Sequence, residues 1–309
     1  MGNNIILSVL VITYNQESTI SKTLDSILSQ EHTYSYEILV GDDCSKDNTR
    51  GIILDYAKQY PDIIKPIFNE KNLGIVGNFY NVLKKANGKY LMECAGDDWW
   101  LSGKVKTQIE FMEKNPEVGL CYGKAKEFLE KDNSFSGKSI GKKSEFTEDL
   151  LNSNEIPALT VCYRRELALL YIERIDPLSK NWLMEDYPMW LWFSIESKIF
   201  MIDENFGVYR VIETSASHFN NVERFKNFHE SEWNIRNFFS QQFLDNPIQP
   251  LDIHSELVYL YLINGEREQA VKELEFCKGI KNKIILLVFK IPFLFDLVRK
   301  IKCQKILKK

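Results

Sequence analysis

Four clusters of polar residues in this 309-residue chain have the composition of a reaction centre. Thr13-Tyr14-Asn15, with Glu17 just beyond, follows an apolar run that begins at Ile5. Gly41-Asp42-Asp43-Cys44-Ser45-Lys46-Asp47 closes a second run, and Ala95-Gly96-Asp97-Asp98-Trp99-Trp100 closes another. Asp97 and Asp98 are a carboxylate pair of the kind that suits a hard cation such as Mg²⁺ or Mn²⁺, which takes oxygen ligands and shares its shell with phosphates. Asp, Gly and Ser also populate ordinary turns and cap helices. The repetition of the pattern, and the Trp-Trp that follows its last copy, weigh towards a ligand site. In the fourth cluster, Glu185-Asp186 precedes Tyr187-Pro188, where Pro in a first helical turn makes Asp186 a natural N-cap.

These clusters need elements to bring them together. Short Val- and Ile-rich runs alternate with segments of helical period over roughly the first 120 residues, the mark of an α/β fold with a mostly parallel sheet. Strands are expected near residues 5–13, 36–42, 63–69 and 89–94, and helices over 17–30, 47–60, 76–86 and 102–114, the last capped by Ser102. A strand over 118–128, a polar loop or hairpin over 131–144, a strand near 159–163, a helix from Arg164 and an aromatic helix from Tyr187 follow. Two short strands, near 198–202 and 207–211, complete the set. Beyond Asn220 only helices are expected, with 255–277 readable as one helical hairpin. In open α/β sheets ligands bind beyond the carboxyl ends of the strands, so the first three clusters should meet at one sheet edge.

Together, Ile12-Thr13-Tyr14-Asn15, Asp42-Asp43-Cys44-Ser45-Lys46-Asp47-Asn48-Thr49, Asn72-Leu73-Gly74 and Gly96-Asp97-Asp98-Trp99-Trp100 resemble family 2 of the inverting nucleotide-sugar glycosyltransferases, of bacterial surface-glycan type. That resemblance implies a GT-A fold, Rossmann-like with a mixed sheet and flanking helices, over residues 1–220. A helical C-terminal region would occupy 221–309. It implies a nucleotide pocket lined by Thr13, Tyr14 and Glu17, a base contact from Asp42 or Asp43, and Asp97 as chief ligand of Mn²⁺ or Mg²⁺ with Asp98 in support. The motif commonly carries Asp or Glu two positions before the metal ligand, and here that position is Ala95. Asp186 is carried over as the general base of single displacement, with Glu185 as its neighbour. A carboxylate at a helix start is favoured as the anion, as such a base must be. Tyr209-Arg210, followed by Ser215 and Ser217-His218, resembles the segment that contacts the diphosphate. Among the tryptophans, Trp99 and Trp182 are the foremost candidates to stack on an acceptor sugar, whereas Trp190 and Phe193 have core spacing.

The resemblance implies transfer from a nucleoside diphosphate sugar, UDP-sugar by preference, to a hydroxyl of a saccharide or lipid-linked saccharide. A sugar-phosphate nucleotidyltransferase and a non-catalytic sugar-nucleotide-binding or assembly protein are the alternatives. A dinucleotide enzyme is disfavoured because no G-x-G-x-x-G follows a strand. The net charge of −4 offers no footprint for nucleic acid, but it is unevenly spread. Residues 278–309 hold ten Lys or Arg against the single acid Asp296, for +9, and residues 1–277 carry −13. Such a basic, apolar tail fits an anionic membrane interface, packing against the catalytic domain, or a homodimer contact. Six dispersed cysteines without a Cys-x-x-Cys pair fit a reducing cytoplasm, including its membrane face.

Overall fold

A computed structural model describes residues 5–212, 221–244, 248 and 252–307. Strands β1 (Leu7–Thr13), β2 (Tyr36–Asp42), β3 (Ile64–Phe68) and β4 (Tyr90–Ala95) run parallel in the order β3-β2-β1-β4. Helices α1 (Ile20–Leu28), α2 (Thr49–Gln59) and α3 (Gly74–Leu83) connect them. β1 is buried at every residue but Ile12, as a central strand covered on both faces must be. Its odd positions, Leu7, Val9 and Val11, share a core with Ile38 and Val40 of β2, Ile20, Leu24 and Ile27 of α1, and Ile53 of α2. α3 lies against the sheet at Gly41, where an added Cβ would stand 2.3 Å from Val82 Cγ2.

The sheet continues through elements of mixed direction. They are β5 (Trp99–Trp100), α4 (Lys104–Lys114), β6 (Val118–Leu129), β7 (Ser134–Ile140), α5 (Thr147–Asn152), β8 (Cys162–Arg164), α6 (Arg165–Ile175), α7 (Tyr187–Glu196) and β9 (Lys198–Val211). The strand order runs on as β4-β8-β6-β9-β5, with β7 hairpinned onto β6. β8 is antiparallel to β4 and β6, while β6 and β9 are parallel. The register pairs Thr13 with Asp42 and Ile12 with Ala95, so three of the polar clusters leave the sheet at one edge.

Several local expectations change. The two strands expected over 198–211 are one 14-residue strand whose pairing with β6 shifts register, which keeps it continuous. A 3₁₀ turn at Ala158–Thr160 takes the start of the strand expected near 159, so β8 begins at Cys162. Ser102 does not cap α4; Gly103, at φ 86°, makes the entry turn instead. Residues 131–144 resolve into the β6–β7 hairpin, and α5, at six residues, is too short to show a period.

The chain divides into two compact units, residues 1–213 with 234–247, and residues 214–233 with 248–309. Helix α8 (Val222–Phe239) contributes to both, and its Phe238 and Phe239 pack on Trp182 within the first. In the second unit, α9 (His254–Asn264) and α10 (Arg267–Phe276) form the expected hairpin around Gly265, at φ 80°. α11 (Ile280–Phe289) and α12 (Pro292–Leu307) follow, and Leu257, Tyr261, Ala270, Leu274, Phe289 and Phe295 close the core.

Gly41→Ala tests the close approach of α3 to the sheet. The added methyl is expected to lower unfolding free energy by about 1–3 kcal/mol in a denaturant titration; an unchanged midpoint would show that α3 can back away from β2 without cost.

Candidate functional site

The first two loops are stitched together by side-chain-to-backbone hydrogen bonds. Asn15 N donates to Ser45 Oγ at 2.9 Å, and Lys46 N donates back to Asn15 Oδ1 at 2.7 Å. Gln16 N donates to Thr49 Oγ1 and Glu17 N to Asp47 Oδ2, while Glu17 Oε2 accepts from Asn48 N at 2.7 Å. Asn15 and Cys44 both take positive φ, 52° and 65°, a conformation rare for side chains other than Asn and Asp. This lacing leaves the Tyr14 ring 44% exposed above the sheet edge.

Asp42 and Asp43 are both buried and differ in what they hold. Asp43 Oδ1 accepts from Leu73 N and Asn69 Nδ2, and Oδ2 accepts from Gly74 N, so the carboxylate anchors the start of α3. Asp42 Oδ2 receives Arg50 Nε and Ser45 N, whereas its Oδ1 is buried with no hydrogen-bond partner. A buried carboxylate oxygen without a donor is costly unless a ligand supplies one.

The third loop is held from two sides. Thr19 Oγ1 of the α1 approach donates to Gly96 O at 2.8 Å, and Thr23 Oγ1 donates to Asp98 O at 2.6 Å. From β9, Arg210 N donates to Asp98 Oδ1 and Arg210 Nε to Asp97 O, each at 2.8 Å. The guanidinium also pairs with Glu130, where it is 5.0 Å from the Trp99 ring centroid. Asp98 is almost removed from water, and that burial together with the charge of Asp97 pushes its carboxyl well above the usual range. Asp97 is partly open; burial raises it too, against its own amide, Arg210 and a hydrogen bond from Gln16.

The fourth cluster lies at the start of α7. Asp186 Oδ1 accepts from Tyr187 N at 2.6 Å, and Asn154 Nδ2 reaches Oδ2 at 3.4 Å. Glu185 has no such amides beyond its own; burial, then the charge of Asp186, pushes it up to about 8. Asp186 is raised by burial as well, and its amide donors oppose the rise. Of the two, Glu185 therefore holds its proton to the higher pH and Asp186 gives its proton up first. Beneath them is a third acid, Glu93 of β4, whose Oε1 accepts from Tyr163 Oη at 2.6 Å. Burial, with the charges of Glu185 and Asp186 adding to it, pushes Glu93 well above the usual carboxylate range, against the Tyr163 hydrogen bond. Tyr80 Oη fixes the same corner by donating to Glu185 O at 3.0 Å.

The geometry redistributes several of the residues singled out in the sequence. Thr13 is buried and bonds Gln16, and Glu17 faces the adjoining loop. Arg210 is buried against the Asp97–Asp98 turn as its counter-charge, while Ser215, Ser217 and His218 lie outside the described residues. The tryptophan expectation is corrected. Trp99 is 8% exposed with Lys22 Nζ 3.3 Å from its ring centroid, and Trp182 is 7% exposed against Phe238 and Phe239, so neither ring face is free for a sugar. Gln16, Glu93, Glu130 and Asn154 were missed. Only Glu93 carried a visible signal, an acid inside an apolar strand.

Among the described residues no three His, Cys, Asp or Glu side chains form a ready-made metal cage. A partly open carboxylate with an elevated pKa beside a second buried one still fits a Mg²⁺- or Mn²⁺-type site, where phosphates and water complete the shell.

A family model described as glycosyl transferase family 2 matches residues 8–168, more than half of the chain. The chain belongs to glycosyltransferase family 2. A UDP-Glc:alpha-D-GlcNAc-diphosphoundecaprenol beta-1,3-glucosyltransferase of Escherichia coli, WfgD, is 29% identical over 270 residues, 86% of this chain and 95% of that one. An uncharacterized protein of Mycobacterium tuberculosis is 32% identical over 208 residues, and the match spans 66% of this chain but only 58% of the relative's length. Among solved structures, Staphylococcus aureus TarS 1-349 in complex with UDP-GlcNAc superposes with TM-score 0.60 at 18% identity, covering 87% of this chain and 80% of that one. The mixed sheet with flanking helices is accordingly the GT-A fold, followed by C-terminal helices. Family 2 membership favours glycosyl transfer over nucleotidyl transfer as the reading of the site.

The paired acids give this family 2 member a pH signature. Glu185 binds its proton more tightly when folded, about 8 against 4.5, so native stability falls as pH rises between those values. Glu185→Gln removes that penalty. Its Tm is expected to exceed the wild-type value by about 10 °C near pH 8.5 and to match it near pH 5. A Tm difference that is the same at both pH values would contradict the assignment.

Proposed function

We propose that this chain is a metal-dependent, inverting glycosyltransferase that moves a sugar from a nucleoside diphosphate, UDP by preference, to a hydroxyl of a glycan or lipid-linked glycan. The observation that carries the reading is the split within the Glu185–Asp186 pair beside the end of β4. Burial and its neighbour's charge push Glu185 up to about 8, whereas the rise of Asp186 is opposed by hydrogen bonds from Tyr187 N and Asn154, so Asp186 is the acid that gives up its proton first.

In the reaction, Asp186 takes the proton of the acceptor hydroxyl as that oxygen attacks the anomeric carbon. The bond from that carbon to the β-phosphate oxygen breaks, and the nucleoside diphosphate leaves with the bond's electron pair. One displacement inverts the anomeric centre, and no covalent enzyme intermediate is needed. Asp97 would hold the divalent cation, with Asp98 behind it as a buried second charge tied to Arg210. When bound, that cation supplies charge neutralisation of the leaving diphosphate. Tyr14, exposed beside the laced loops, offers a face to the nucleotide, and the unpartnered Asp42 Oδ1 is an acceptor for an N–H of a base such as uracil. Asp43, fully engaged with α3, supports the pocket wall.

UDP as the nucleotide is supported by the relatives, since WfgD is named for UDP-Glc and TarS is solved with UDP-GlcNAc. The name of WfgD, with its diphosphoundecaprenol-linked acceptor, supports a lipid-linked saccharide here. A Pyrobaculum calidifontis mannosyltransferase solved with GDP-Man and Mn²⁺ supports the metal. The six cysteines, all free, suit a reducing cytoplasm as the place of work.

The test is release of nucleoside diphosphate from a panel of donors with Mn²⁺ present. Asp186→Asn is expected to lower kcat by about 10²–10⁴-fold with little change in donor binding, and Asp97→Ala to weaken both. Wild-type rates in both variants would sink the mechanism.

A further inference from the structure

The second unit carries an apolar surface that its own core leaves uncovered. Phe289 and Phe295 are buried in that core, and Ile285, Leu286, Val288 and Val298 pack against it. Away from these buried positions, α11 and α12 also carry exposed apolar side chains. Ile284, Leu287 and Ile291 recur at helical spacing, and Phe293, Leu297 and Ile301 recur every fourth residue along α12. All six are exposed, Phe293 by 73% and Leu287 by 66%. Ile291 lies in the turn between the two helices. A protein surface rarely leaves so many large aliphatic and aromatic side chains together in water without a partner.

The charges around the stripes identify the partner. Lys283 flanks Ile284, Lys290 flanks Ile291, and Lys300 flanks Ile301, all exposed. Residues 278–309 total +9, with Asp296 the single acid, while residues 1–277 carry −13. Apolar residues that can enter the acyl boundary, beside lysines that can reach phosphate headgroups, are the composition of an interfacial helix. A second copy of this surface would bring two +9 segments together, a repulsion that an anionic bilayer turns into attraction. No helix among the described residues is long and apolar enough to cross a bilayer, so contact would be with the surface.

We propose that the α11–α12 hairpin docks this chain on anionic lipid, with Leu287, Ile291 and Phe293 inserted at the headgroup boundary and the lysines neutralising headgroup charge. The acidic remainder of the chain disfavours any other face for the same surface. A transferase acting on a lipid-linked acceptor would gain local concentration from this contact, but the docking does not depend on the catalytic reading.

The experiment is flotation of the full chain with vesicles that contain neither sugar donor nor acceptor, so the outcome is independent of glycosyl transfer. Vesicles of phosphatidylcholine with about 30% phosphatidylglycerol are expected to bind at least about tenfold more protein than phosphatidylcholine alone, an excess that high salt removes. Leu287→Ser combined with Phe293→Ser should lose that binding about tenfold without a lower Tm, because both side chains are exposed. Lys283→Gln with Lys290→Gln should reduce the preference for phosphatidylglycerol. Equal binding to the two vesicle types, or undiminished binding by the Ser variant, would overturn the proposal. So would absence of vesicle binding with a concentration-dependent dimer that the Ser variant dissolves, which would assign the face to a second copy.

Discussion

A carboxylate removed from water must be given donors, and Asp98 receives the backbone amide of Arg210 from 112 residues further along the chain. That bond closes the sheet around the site. It ties the turn after β4 to the last turn of β9, where β5 pairs with Gly207 and Val208. Thr19, Thr23 and Ser26 grip the same turn from α1, and Arg210 returns its guanidinium to Asp97 O and Glu130. With the turn fixed on both sides, Asp97 is the carboxylate left facing out.

The same logic of burial separates the other acids into roles. Asp97, Asp98, Glu93, Glu185 and Asp186 would all be anions in water, and in this fold burial pushes every one of them towards the neutral form. What distinguishes them is the donors each receives. Glu93 is pushed well above the usual range by burial although the Tyr163 hydroxyl opposes the rise, and Glu185 is raised further by its neighbour. Asp186 gains amides at the start of α7 and is the acid able to accept a proton. The Asp97–Asp98 pair is raised by burial despite its donors, and a divalent cation is the counter-charge that would let both ionise. A single imbalance of charge thus connects the proposed base with the proposed metal site.

Much of this was legible in the sequence, and the unread part has a physical cause. The β1, β2 and β4 runs are largely apolar, so their ends marked the loops that the structure brings to one sheet edge. Residues whose role depends on a distant partner were not readable. Arg210 was named from its resemblance to a diphosphate-contacting segment; its pairing with Asp98 and Glu130 comes from the β6–β9 register and was not readable from the sequence. Glu17 is polar and near the pocket in sequence, but the lacing of two loops turns it to Asn48. Trp99 and Trp182 were misjudged for a related reason, since their covers, Lys22 and the end of α8, come from elsewhere in the chain. The single strand over 198–211 likewise depends on β6 as a template.

The central claim is that Asp97 holds a divalent cation that in turn holds a nucleoside diphosphate. It is tested most directly by calorimetric titration of UDP into the full chain with and without Mn²⁺, for wild type and Asp97→Asn. Mn²⁺ should tighten UDP binding by at least about tenfold in the wild type, roughly 1.4 kcal/mol, and leave Asp97→Asn nearly unaffected. Equal tightening in both proteins, or none in the wild type, would contradict it.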